Sequence, residues 1–178
     1  MTTPTDPQPD LTRSTQLDQV VDALMQSYPI DPRTQHIDAS FLPSRDEAIR
    51  IIELLRRIVF PGFFDKDRLT SGNVKAHISD LLADLDQALY EQVRQSLRYG
   101  QNKKDEGSGD DCDDCDVMAR EVTDAMLAYL PDLRHAISLD VQAAFDGDPA
   151  AQGTDEAVFG YPGIDAIFTH RVAHKLCT

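Results

Sequence analysis

Two short spacings in this chain have the form of ligand pairs. Cys112 and Cys115 make a C-x-x-C inside "DDCDDCD", the form of half a zinc site or of a redox pair. A structural zinc needs four ligands. No second C-x-x-C occurs, and Cys177 and the histidines His36, His77, His135, His170 and His174 stand at no spacing that completes a zinc motif. A redox pair needs an electropositive setting that favours thiolate. Asp110, Asp111, Asp113, Asp114 and Asp116 surround these thiols instead, and their charge raises a thiol pKa. The simpler account is an acidic loop entering a helix N-terminus, where carboxylates complement the helix dipole.

The second pair is His170 and His174, an i, i+4 spacing that puts two imidazoles on one side of a helix. A metalloprotease H-E-x-x-H carries a glutamate after its first histidine, whereas Arg171 stands there in this chain. A cation beside the pair disfavours a metal, so packing or a polar contact is the simpler account and no metal ligand is assigned. There is no glycine-rich phosphate loop and no G-x-S-x-G. Ser108, the serine near a glycine run, falls in the acidic loop. Asp146 and Asp148 lie in "DGDPAA" beside Pro149, where an aspartate by itself is a turn former or a cap. No residue receives a catalytic role.

The elements that must position these residues read as helices. Residues 1–13, "MTTPTDPQPDLTR", are proline-rich and nearly free of apolar residues, the composition of a disordered tail. Residues 14–178 then form a helical domain. Leu17, Val20, Val21, Leu24 and Met25 make one helical face, which Pro29 and Pro32 end. Ser44 and Glu47 form an S-x-x-E capping box ahead of Ala48, Ile51, Ile52, Leu55, Ile58 and Val59, and Pro61-Gly62 stops that helix. Val74, Ile78, Leu81, Leu82, Leu85, Leu89 and Val93 sustain the longest stripe, closed by Gly100. Residues 100–116 form an acidic loop. The period resumes with Met118, Val122, Ala125, Met126 and Tyr129. Pro131 fits the first turn of a further helix carrying Leu133, Ile137, Val141 and Phe145. "AVFGY" is too short for a strand. The expected class is all-α, a bundle of about five to seven helices.

Composition excludes partners more readily than it names them. The 178 residues carry a formal net charge of −14, which argues against nucleic acid or an anionic membrane surface. No secretory leader and no membrane span of roughly 20 apolar residues is legible. An odd cysteine count makes no disulfide framework. The expectation is a cytoplasmic protein with reduced thiols.

One pattern reaches further. In order and spacing, Asp140-Val141-Gln142-Ala143, Asp148-Pro149-Ala150, Tyr161-Pro162-Gly163, Ala166-Ile167 and His170-Arg171-Val172-Ala173-His174-Lys175-Leu176 resemble the N-terminal helical domain of serine O-acetyltransferases. The likeness is specific over residues 139–176 and weaker over 41–64, where Leu42-Pro43-Ser44-Arg45 and Phe60-Pro61-Gly62 carry it.

The resemblance implies transfer of acetyl from acetyl-CoA to the hydroxyl of L-serine, giving O-acetylserine, the precursor of cysteine. It implies that Asp148 binds the substrate's amino group, that Pro149 fixes the turn presenting it, and that Arg171 and His174 are structural. In the family the catalytic histidine, its aspartate and the acetyl-CoA groove belong to a C-terminal β-helix of hexapeptide repeats. Neither such repeats nor a D-H motif occurs here. The expectation is therefore a fragment or truncated product, inactive alone, without a cofactor site of its own. The family also implies a homo-oligomer formed through the helical domain and an O-acetylserine sulfhydrylase partner of the full-length proteins. A non-catalytic helical assembly module is the alternative.

Overall fold

The computed structural model describes residues 11–38, 42–102 and 113–177. Every regular element among them is helical, six α-helices and two 3₁₀ turns, so the all-α class holds. Residues 1–10, most of the expected tail, lie outside the described residues, as do residues 103–112 of the expected acidic loop with Cys112, Asp110, Asp111 and Ser108. The chain divides into two compact units, residues 1–40 and 41–178.

In the first unit, helix α1 spans Leu11–Ser27. Pro29 and Pro32 end it as expected, and they open two 3₁₀ turns, Tyr28–Ile30 and Pro32–Thr34. Asp31 caps the second turn by accepting the Arg33 N–H at 3.1 Å. The face formed by Leu17, Val20, Val21, Leu24 and Met25 is helical, yet each of these side chains is 46–59 % exposed.

The second unit is a bundle of α2 (Arg45–Val59), α3 (Val74–Asn102), α4 (Asp113–Gly147), α5 (Thr154–Gly160) and α6 (Pro162–Cys177). Helix α3 packs between α2 and α4, and α5 and α6 pack on α4. The stripes read from the sequence meet in one core. Leu55, Leu85, Leu133 and Ile137 are wholly buried, with Leu54, Leu81, Leu89, Met126, Val141, Phe168 and Val172 around them. Each such side chain contributes roughly 2 kcal/mol on leaving water.

Ser44 caps α2 by accepting the Glu47 N–H at 3.2 Å. The return half of the capping box is not made: the Ser44 N–H donates to the Gln92 side-chain oxygen at 3.0 Å, and the Glu47 carboxylate pairs with Arg50 at 3.2 Å. Helix α2 ends at the Pro61-Gly62 turn, where Gly62 has φ +87°, a conformation that costs glycine nothing and other residues about 1 kcal/mol or more.

Two boundaries differ from the sequence reading. Helix α3 runs through Gly100 to Asn102; an interior glycine costs only about 1 kcal/mol and does not by itself stop a helix. The two helices expected around Pro131 are a single helix, α4, with Pro131 inside it. Pro131 deletes one i→i−4 hydrogen bond. The buried stripe nonetheless continues on both sides, from Met126 and Leu130 to Leu133 and Ile137. Packing of that continuous face outweighs the local penalty.

Candidate functional site

Asp148 lies just beyond α4, and its geometry is set by the chain on both sides. Its N–H donates to the Phe145 carbonyl at 3.2 Å, and its own carbonyl accepts from the Ala151 N–H at 3.1 Å. One carboxylate oxygen, Oδ1, accepts the Ala150 N–H at 2.9 Å. This is the side-chain-to-backbone turn expected of an aspartate before proline. The other oxygen, Oδ2, accepts the hydroxyl of Tyr161 at 2.5 Å.

Tyr161 sits at the joint between α5 and α6. Its N–H donates to the Ala157 carbonyl at 3.3 Å, and its carbonyl accepts from Ile164 at 3.0 Å. Its ring packs against the core. The bond couples the two titrations. The Tyr161 hydroxyl, then the Ala150 N–H, hold the Asp148 carboxyl below the ordinary carboxylate range. The Asp148 carboxylate in turn pushes the Tyr161 phenol up to about 12. At neutral pH the pair is an ionised carboxylate beneath a neutral donor.

One helical stretch away, Arg171 of α6 pairs bidentately with Asp140 of α4, Nε to Oδ2 at 2.8 Å and Nη2 to Oδ1 at 3.0 Å. Asp140, Tyr161, Pro162, Gly163, Ile164 and Ile167 line a cavity of about 630 Å³ between these helices. Residues of the sequence pattern thus meet in two contacts, Asp140 with Arg171 and Asp148 with Tyr161, and Asp140 and Tyr161 share the lining of one cavity.

His170 and His174 share one side of α6, their rings parallel within 3° and 6.1 Å apart. Both are exposed, and among the described residues no three histidine, cysteine or carboxylate side chains converge on a metal position. Cys115 is buried and disulfide-bonded, while Cys177 is free and exposed. The expectation of reduced thiols fails at Cys115, because an odd cysteine count still leaves room for one bridge.

Sequence reasoning passed over Asp65. Its carboxylate is wholly buried, with Arg57 Nε at 2.9 Å and His77 Nε2 at 2.7 Å from Oδ1. The Gly62 N–H donates to Oδ2 at 2.8 Å. Burial pushes the Asp65 carboxyl up, but Gly62, Arg57 and His77 together hold it below its ordinary value. The cluster ties the turn after α2 to the start of α3. No motif marks it, since its members are 8 and 12 residues apart.

No family model matches the chain. The protein named "Serine acetyltransferase, plasmid" of Synechococcus elongatus is 35% identical over 171 residues, 94% of this chain and 53% of that relative. Serine acetyltransferases of Bacillus licheniformis and Mycobacterium tuberculosis are each 49% identical over 37 residues, 21% of this chain and 17% and 16% of theirs. The chain thus spans about half the length of the Synechococcus relative and much smaller shares of the others. Along nearly all of its own length the chain is similar to a serine acetyltransferase, and every regular element among its described residues is helical.

Proposed function

We propose that this chain is the helical region of a serine O-acetyltransferase and that Asp148 holds the amino group of L-serine. The overall reaction moves acetyl from acetyl-CoA to the serine hydroxyl, leaving O-acetylserine and CoA. In this reading the helical region supplies substrate contacts and oligomer contacts, and the 178 residues alone do not transfer acetyl groups. The setting assumed is the cytoplasm.

The observation that carries the reading is the state of the Asp148 carboxylate. It is ionised and anchored by the neutral donors Tyr161 and Ala150. Its negative charge therefore stays available to an ammonium group, and a charge-assisted hydrogen bond from such a group is roughly twice as strong as a neutral one. Orientation matters as much as charge, because serine held by its amino group brings its hydroxyl to one place.

A chimera tests this reading. These residues would replace the matched 171 residues of the Synechococcus relative. The expected product acetylates L-serine, and Asp148→Asn raises KM for serine about tenfold or more while the fold is kept. A folded chimera without serine acetylation, or one indifferent to Asp148→Asn, would overturn the reading.

A second reading, a helical module for assembly, is favoured by the exposed apolar face of α1 at Leu17, Val20, Val21, Leu24 and Met25. Self-association through helix faces is common to both readings. Light scattering that found only monomer at high concentration would count against it in either case.

A further inference from the structure

The buried or half-buried aspartates of the bundle are held in two different ways. Asp140 is gripped by the Arg171 guanidinium and Asp65 by Arg57, so in both the anion is matched by a cation. Asp148 is held as firmly, by 2.5 and 2.9 Å bonds, but both donors are neutral. Holding a carboxylate and neutralising it are thereby separated at this residue.

We propose that Tyr161 is a positioning residue whose hydroxyl fixes the Asp148 carboxylate in one orientation while leaving its charge unpaired for a ligand ammonium group. The inference rests on the reading of Asp148 given above. A carboxylate has about four acceptor positions. The Ala150 N–H takes one on Oδ1 and the Tyr161 hydroxyl takes one on Oδ2, which leaves one on each oxygen. Without Tyr161, Asp148 would be tethered through Oδ1 alone and free to turn about χ2.

The hydroxyl is itself well placed to act as a fixed point. The backbone of Tyr161 is bonded into both α5 and α6, through Ala157 and Ile164. A motion of either helix therefore moves the carboxylate. A phenylalanine keeps the ring packing and loses only the hydroxyl, which isolates the proposed role. An arginine or lysine in its place would hold Asp148 but quench it.

The test is a pH titration of the Asp148 carboxyl carbon by NMR in the full chain, assigned through Asp148→Asn. With Tyr161→Phe the midpoint rises towards the ordinary carboxylate range, while the thermal midpoint of the fold changes by only a few degrees. A titration unmoved by Tyr161→Phe overturns the proposal. Should Tyr161→Phe not fold, the hydroxyl proton of the unaltered Tyr161 decides. It gives an observable, slowly exchanging resonance that Asp148→Asn abolishes, and its absence in the unaltered chain overturns the proposal.

Serine KM in the chimera reads the substrate role separately. Tyr161→Phe raises it about five- to tenfold with kcat nearly unchanged. If the titration moves while Asp148→Asn leaves KM alone, Tyr161 still holds the carboxylate and the serine reading is what fails.

Discussion

Arg171 and Asp140 join α6 to α4 through two parallel hydrogen bonds across 31 residues of sequence. The guanidinium fork matches the carboxylate edge, a geometry that lysine cannot reproduce. Arg171 lies in the second half of α6, nine residues beyond Pro162, so the pair fixes the body of that helix against α4.

Arg171→Lys therefore costs nearly as much as Arg171→Ala. Both side chains are partly solvated, which keeps the cost to about 1 kcal/mol. That corresponds to a loss of about 2–4 °C in the thermal midpoint of a domain of this size. Urea unfolding of the two variants checks it. A lysine variant as stable as the parent would show that charge alone matters there.

Asp65 makes stability depend on pH in the acid range. Its folded pKa lies below its unfolded value. Its contribution is therefore complete above the unfolded carboxyl value of about 3.9, and it is lost as pH falls through the lower, folded value. Urea midpoints taken from pH 6 downwards should fall below about pH 4. Asp65→Asn should lower stability at pH 6 by about 2 kcal/mol, because Arg57 and His77 lose their anion, and should flatten that acid slope. An unchanged slope in Asp65→Asn would assign it to other carboxylates.

Pro131 should be a removable cost. It lies in the middle of α4 and is exposed, so alanine there restores a backbone donor without disturbing the core. Pro131→Ala should raise stability by about 1–3 kcal/mol. A fall in the thermal midpoint would mean that the proline itself helps α4 to meet α3 and α6 together.

The same residue shows where sequence reading reached its limit. Period and caps are local, and they placed α2 and α3 with most of their buried faces, including Ile51, Leu55, Leu81, Leu85 and Leu89. Pro131 and Gly100 are also local signals, but the packing that overrides them is not. The site divides in the same way. Asp148 and Arg171 stood out through a family pattern, and the turn at Ala150 follows from Asp-Pro chemistry. That Tyr161 reaches Asp148, 13 residues away, depends on how α5 packs back against the end of α4, which no periodicity encodes. Asp65 was passed over for the same reason: its partners converge only after α2 and α3 have packed.

Leu133 and Leu139 of α4 test the register of that packing directly. They are six positions apart on one helix, and Leu133 is fully buried while Leu139 is 58 % exposed. Leu133 belongs to the i, i+4 stripe with Ile137 and Val141, and Leu139 falls on the opposite side. Leu133→Ala removes a side chain enclosed by the core and should cost about 2–5 kcal/mol. Leu139→Ala should change stability by about 0.5 kcal/mol or less, since its side chain gains little from the fold and alanine is the better helix former. Denaturant midpoints of the two variants give the answer. Similar losses at both positions would mean that a second apolar surface covers Leu139 in solution, and a concentration dependence of the Leu139→Ala midpoint would identify that surface as another copy of the chain.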